Sequence, residues 1–401
     1  QRVRRQRQMC IRDRCVVVLI SLGIRQTFGL FFMDFKDDLG ISLTEAGLSI
    51  GLQMLMWGLT GPIFGAIADK YGGHKAIALA FVFFIAGIYF LYAGPNTGIF
   101  FQIDMGILVG IGLGGTAISI PMAIVGKHFP LSNRTIAMSL VTAIGSFGYF
   151  LSPLLTTYSL SENGWKITLI AFLVALFIGL IVSYFVRSPS LEQSIETPNS
   201  QSTLEAIKEA FASKSYILLV SGFFVCGFHI TLVGTHVPTY VVDRGLESWT
   251  AAAILSLIGL FNIIGSLLSG YLSTKISKKI ILSVIYSLRG LSIILFIFLP
   301  ASNINAFIFG ASFGFLWLST VPATSGIVAH MFGTKYLGLL YGIVFLSHQI
   351  GSFFGAYLGG LFHDIYGSYD YAWYLAIALS IFAAIIHLPI KEEAVLRLKT
   401  N

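Results

Sequence analysis

Gly65-Ala66-Ile67-Ala68-Asp69-Lys70-Tyr71-Gly72-Gly73-His74-Lys75 is a charged, glycine-punctuated turn set between two long apolar runs. A polar join this short, between runs of about twenty apolar residues each, links two membrane-crossing helices. A second segment of the same kind, Gly270-Tyr271-Leu272-Ser273-Thr274-Lys275-Ile276-Ser277-Lys278-Lys279, follows at an offset of 205. Two more pairs keep nearly that offset. Gly23-Ile24-Arg25-Gln26-Thr27 matches Gly227-Phe228-His229-Ile230-Thr231, and Ile144-Gly145-Ser146-Phe147 recurs as Ile350-Gly351-Ser352-Phe353. Three matches in register point to a duplicated unit. Such repeats place a substrate site at the midplane between halves that rock against each other.

Working outward, the apolar runs count to twelve. Between Lys75 and Lys127 the only charge is Asp104, and between Lys279 and Lys335 it is Arg289. Each interval holds two spans. The full set falls near 15–33, 43–64, 76–94, 98–126, 135–158, 166–186, 216–241, 250–273, 280–299, 305–331, 336–362 and 371–390. The expected fold is an all-α membrane protein of twelve transmembrane helices in two pseudo-symmetric six-helix halves, 15–186 and 216–390. Residues 187–215 form the polar linker between them, on the cytoplasmic side, and 391–401 a cytoplasmic tail.

Composition agrees. The 401 residues are 56% hydrophobic and 11% charged, under half the charge of an average soluble domain. A soluble fold lacks the polar surface to cover this much apolar area. The net charge of +7 is concentrated at residues 1–14, where six arginines and one aspartate give +5. That segment reads as a basic N-terminal run that is not native to the chain. The remaining +2 excludes a basic nucleic-acid-binding body.

Lysine and arginine bias sets the orientation. With both termini cytoplasmic, inner segments hold fourteen lysines and arginines, and outer loops hold only Lys36, Lys166 and Arg244. Arg25 and Arg289 are left inside spans. The expected location is the plasma or inner membrane, multi-pass. Three cysteines without a CxxC or a cysteine–histidine cluster give no disulfide framework and no metal site. No nucleotide-binding loop is present, so no cofactor is expected and no enzymatic constellation appears at depth.

The pattern Gly65, Asp69, Lys70, Gly72, His74 and Lys75 resembles the signature loop of the major facilitator superfamily, over about residues 15–390. Within it the chain is most similar to the bacterial monocarboxylate-transporter branch, through Gly23-x-Arg25-Gln26-Thr27-Phe28-Gly29-Leu30-Phe31 and Phe345-Leu346-Ser347-His348-Gln349. The resemblance implies a secondary active transporter of a small organic anion, working by alternating access of rocking halves and coupled to protons. It also implies a monomer. In this reading Gly65 permits close helix approach, Gly72 permits a tight turn, and Asp69 latches one access state, with Arg134 as its partner.

Charges inside the bilayer are expensive and normally face a cavity or a partner. Arg25, mid-span 1, is the first candidate to hold an anion through its planar fork. Arg289 on span 9 is a second. His229, the repeat-mate of Arg25, is expected to face the same cavity. His348, Gln349 and Asn262 lie at similar depth, and Trp57, Tyr149 and Trp317 are expected to wall the site. Asp104, His229 and His348 are the proton-coupling candidates.

One feature departs from the monocarboxylate branch. Its span 8 carries an arginine one turn before the motif glycine; here that place is Ser266, with Asn262 a turn earlier. Arg25 or Arg289 then has to anchor the carboxylate. The rival reading is a drug/proton antiporter. Its span-5 pattern is only partly kept, as Gly148-x-x-x-Ser152-Pro153-x-x-Thr156-Thr157.

Overall fold

The computed structural model describes residues 2–95, 97–128, 131–185, 202–333 and 335–395. Side chains are described for these except 2–12, 119, 123, 126–128, 131–139 and 185. Among the described residues the spans are built from helices, with no strand, as lipid requires: no water is available there to satisfy exposed backbone groups.

Eleven helical stretches among the described residues are long and apolar enough to cross a membrane. They are Asp13–Leu39, Leu43–Tyr71, Gly73–Ala93, Ile99–Met122, Leu140–Tyr184, Lys214–Asp243, Ser248–Leu272, Lys278–Phe298, Asn303–Phe332, Leu337–Tyr366 and Asp370–His387. Leu140–Tyr184 has 45 residues, and Gly164 within it is non-helical at φ 74° and ψ 172°. That break falls between expected spans 5 and 6, so the eleven stretches fit the twelve-span reading. Spans are numbered 1–12 below on that basis.

The linker region contributes a helix of its own. Thr203–Ala212 starts at a capping box in which Ser202 and Glu205 satisfy each other's backbone N–H groups. Span 2 starts the same way, through Ser42 and Glu45. It ends at Gly72, whose φ of +98° suits a residue without a Cβ. Span 3 begins at the next residue, so the opening motif is one turn between two helices.

Two spans are interrupted. Span 4 breaks after Thr116 and resumes at Ser119; span 10 breaks after Leu316 and resumes at Thr320. Pro121 and Pro322 follow at corresponding places in the two halves. Paired interruptions of this kind point to the substrate region of a repeat-built transporter.

The halves meet along spans 2 and 11, spans 5 and 8, and spans 1 and 7. Span 2 approaches span 11 backbone to backbone. A Cβ on Gly360 would collide with the Leu43 carbonyl, and one on Gly47 with the Ala356 carbonyl. One on Gly51 would sit 2.8 Å from the Phe353 ring, and one on Gly58 2.9 Å from Gln349 Cγ. At the far end of this seam, Asp364 Oδ2 accepts from the Thr44 N–H (2.7 Å) and hydroxyl (2.5 Å). A carboxylate there caps the N-terminus of span 2 from the other half. Beyond Gly58 the spans part. Gly61 and Gly65 face span 4, and nothing lies within 4 Å of a Cβ built on Gly338 or Gly342. Spans 2 and 11 are thus sealed at the Thr44–Asp364 end and, among the described residues, part toward the end carrying the signature turn.

Candidate functional site

Arg25 lies where the seal ends. It is 8% exposed. Its Nη1 donates to Gln26 Oε1 (3.3 Å), and its Nη2 contacts Met54 Sδ on span 2 (3.3 Å). The Tyr149 hydroxyl of span 5 is a further neighbour. Among the described residues no carboxylate pairs with this guanidinium. A guanidinium stays protonated when buried, so its charge is met here only by neutral dipoles. Beside it, Gln26 Nε2 is buried with no hydrogen-bond partner among the described residues. The pocket thus holds one fixed positive charge and one spare N–H donor, which suits an anion.

Met54 ties this group to the other half. Its carbonyl accepts from Gln349 Nε2 on span 11 (3.0 Å). Gln349 Oε1 in turn lies 2.9 Å from His348 Nδ1. The His348 ring stacks on Phe345 with centroids 5.6 Å apart, and Phe345 meets Trp57 edge-on at 6.1 Å. One turn before Tyr149, Ser146 Oγ accepts from Asn262 Nδ2 on span 8 (2.9 Å). Trp317 of span 10 and Gln26 of span 1 both lie within 4 Å of a Cβ built on Gly234 of span 7. Arg25, Trp57, Tyr149, Asn262, Trp317, His348 and Gln349 therefore surround the contact between the halves. Gln26, Met54 and Ser146 join them without having been singled out from the sequence.

Three candidates face elsewhere. His229, expected beside Arg25, is fully buried with Nε2 2.8 Å from the Ala376 carbonyl of span 12. An imidazole in lipid surroundings takes the nearest backbone acceptor, and that acceptor lies outside the cleft. Arg289 donates to the Leu316 carbonyl through Nη2 (2.7 Å) and Nε (3.2 Å), and to the Trp317 carbonyl. These carbonyls are orphaned by the break in span 10, and a cation at a helix C-terminus also complements its dipole. Asn262 serves the same break, its Oδ1 accepting from the Leu318 N–H (3.0 Å). Asp104 lies at the sealed end of span 4, in a π-helical stretch, Gln102–Leu108, packed on spans 2 and 3.

The signature turn is organised differently from the expectation on one point. Gly65 has room: the nearest atom to a Cβ there is Ile120 Cδ1, at 3.9 Å. The close approach belongs to Gly73, where a Cβ would collide with Ile124 of span 4. Lys70 lies over the Tyr71 ring, 5.1 Å from its centroid. Asp69 and Lys75 are exposed, on the last turn of one helix and the first of the next. The side chain of Arg134 lies outside the described residues.

In the second half the corresponding turn is held by the tail. Glu392 accepts from Ser277 Oγ (2.6 Å) and the Lys279 N–H (2.8 Å), and pairs with Lys278 Nζ at 3.7 Å. Burial raises the pKa of this carboxyl. The two hydrogen bonds and the charges of Lys278 and His330 outweigh burial and hold it below the ordinary glutamate range. A depressed folded-state pKa adds stability above the unfolded value of about 4.3, and that stability is lost on acidification through the folded value. Glu392→Gln is therefore expected to lower Tm at pH 7, and the gap to wild type should close as the pH falls below 4. A constant gap in thermal melts across that range would refute this account.

Comparison with known proteins agrees with the geometry. The family model described as Major Facilitator Superfamily matches residues 15–321, more than half of the chain. An uncharacterized MFS-type transporter, YcxA of Bacillus subtilis, is 24% identical over 358 residues, covering 86% of each chain. Monocarboxylate transporter 13 of Rattus norvegicus is 23% identical over 370 residues, 89% of this chain and 82% of the relative. The sialic acid transporter NanX of Escherichia coli is 24% identical over 340 residues, 83% and 81%. Among solved structures, a bacterial homologue of the lysosomal transporter Spinster, inward-facing and unoccupied, superposes with a TM-score of 0.73 at 14% identity, covering 95% and 96%. A D-xylose-proton symporter gives 0.72 at 15%, covering 97% and 99%. The structural likenesses speak for the fold, and the family match reaches further: this chain belongs to the major facilitator superfamily, as a multi-pass membrane transporter of a small molecule.

Proposed function

We propose that the chain carries a small organic anion of the monocarboxylate type together with a proton. The observation that carries this reading is Arg25, a buried guanidinium at the junction of the halves with no carboxylate partner among the described residues. Two relatives named for acids, a monocarboxylate transporter and a sialic acid transporter, support the cargo class. In this reading the substrate carboxylate binds Arg25 and Gln26, with Tyr149, Trp57 and Trp317 around it and Gln349 joining the halves. Arg289 holds the broken span rather than the cargo. His348 is the coupling candidate nearest the site.

The charge bias of the loops supports placing the signature turn and both termini in the cytoplasm. In this reading the sealed Thr44–Asp364 end faces outside, and the carrier is an inward-facing monomer of two rocking halves, 15–186 and 216–390. Asp69, near the open end, acts in the switch between states. Asp69→Asn is expected to slow uptake several-fold with little change in substrate affinity, and an unchanged rate would remove the latch role.

Uptake of labelled monocarboxylates and dicarboxylates into proteoliposomes, with and without a pH gradient, tests the whole reading. Accumulation of a monocarboxylate driven by an inward proton gradient is expected. Expulsion of a cationic dye with no anion uptake would make the chain a drug/proton antiporter instead.

A further inference from the structure

Span 7 carries three buried glycines, Gly222, Gly227 and Gly234, and they are not alike. A Cβ on Gly222 would collide with the His387 ring of span 12, and one on Gly227 with the His348 carbonyl of span 11. Close helix approach accounts for both. A Cβ on Gly234 meets only ordinary contacts: Trp317 Cη2 at 3.6 Å, Gln26 Oε1 at 3.9 Å and Gln26 Nε2 at 4.0 Å. Packing therefore does not demand a glycine at this place, and helix propensity disfavours one. The missing side chain leaves a space the size of a methyl group between spans 1, 7 and 10.

Gln26 connects that space to the anion site. It is almost completely buried, and its Oε1 accepts from Arg25 Nη1 (3.3 Å). A guanidinium offers donors only, so the amide is held with its oxygen toward Arg25. That assignment makes Nε2 the free end, and it has no hydrogen-bond partner among the described residues. A buried donor left unpaired is costly, and this one borders the space beside Gly234.

The opposite wall is fixed. Trp317 is fully buried at the break in span 10. Arg289 holds its carbonyl and that of Leu316, and Asn262 Oδ1 accepts from the Leu318 N–H (3.0 Å). Phe313 meets the indole edge-on, with ring centroids 5.8 Å apart. With the backbone pinned on both sides of Trp317 and its ring packed, this wall yields little, and a close-packed wall discriminates by size.

We propose that Gly234, Gln26 and Trp317 form a subsite for the carbon next to the cargo's carboxylate. One carboxylate oxygen lies on the Arg25 guanidinium, and the other accepts from Gln26 Nε2. The attached carbon then enters the space beside Gly234, against the Trp317 ring. Gly234 sets the size of that group, and the cargo is a short aliphatic acid unbranched at this carbon. The subsite rests on the anion reading above.

Calorimetric titration of the full chain in lipid nanodiscs with formate, acetate, propionate and isobutyrate tests it. Formate has no carbon to place in the space, and the others do. Gly234→Ala fills the space with a methyl group that meets no clash, so the fold should survive, as a thermal melt would show. This variant is expected to weaken acetate and propionate about tenfold more than formate, the scale of discrimination by one carbon in an apolar pocket. Trp317→Phe widens the space and should shift preference the other way, toward isobutyrate over acetate. An equal loss for all four acids in Gly234→Ala, or no loss, overturns the subsite, and so does an unchanged isobutyrate-to-acetate ratio in Trp317→Phe. If the wild type binds none of the acids, the cargo reading falls and the subsite with it. Binding by the wild type with selectivity unmoved in both variants removes the subsite alone.

Discussion

Arg25→Ala is expected to weaken binding of a monocarboxylate by about two orders of magnitude. A hydrogen bond between charged partners contributes about 1.5–3 kcal/mol, and a two-pronged contact in a site shielded from water lies at the upper end of that range. About 3 kcal/mol corresponds to roughly a hundredfold in Kd. The change leaves fewer buried charges, so the fold should survive it, and a thermal melt checks that. Arg25→Lys should recover part of the loss, because lysine keeps the charge and lacks the planar fork. Calorimetric titration with a monocarboxylate distinguishes the three proteins. Equal affinity in wild type and Arg25→Ala would move the anchor elsewhere.

Gly360→Val is expected to reverse the access state. The Gly360 backbone lies against the Leu43 carbonyl with no room for a Cβ. Overpacking of this kind costs about 1–3 kcal/mol. Here the strain exists only while the halves touch at this end, so it acts on the equilibrium between states. About 2 kcal/mol shifts that equilibrium roughly thirtyfold toward the form with the seam open. Spin labels at Ser161, exposed on the helix just before the break at Gly164, and at Ala301, exposed between spans 9 and 10, would report a longer separation by pulsed electron resonance. An unchanged distance distribution would mean that the seam yields locally and does not hold the state. Asp364→Ala should act in the same direction but more weakly, since the capped amides can turn to water.

The spans were legible because lipid leaves a linear sign: long apolar runs, flanked by lysine and arginine on one side. The repeat was legible for the same reason, through three matched segments. Two things were hidden. The breaks in spans 4 and 10 were signalled by Pro121 and Pro322 at matching places, each two residues after a serine or threonine, and this pair passed unread. What satisfies the span-10 break could not be read at all, because Arg289 and Asn262 come from two other helices. His229 shows a second limit. It occupies the repeat position of Arg25, yet its ring turns toward span 12. Duplication preserves position along the chain more faithfully than side-chain direction. The signature turn repeats the point on a small scale: Gly65 and Gly73 read alike in sequence, and only Gly73 is pressed against its neighbour.

The glycine seam between spans 2 and 11 has a consequence for the energetics of opening. Its tightest contacts are backbone to backbone, at Gly47 and Gly360, so parting them uncovers peptide carbonyls beside the Phe353 and Gln349 side chains, and the carbonyls gain further hydrogen bonds only when solvent follows. The sealed form is the dehydrated form. Opening should draw in a definite number of waters, and the balance between states should track water activity. Osmolytes too large to enter the crevice would hold the carrier shut, so its turnover should fall as osmotic pressure rises, even with every gradient of substrate and proton held constant.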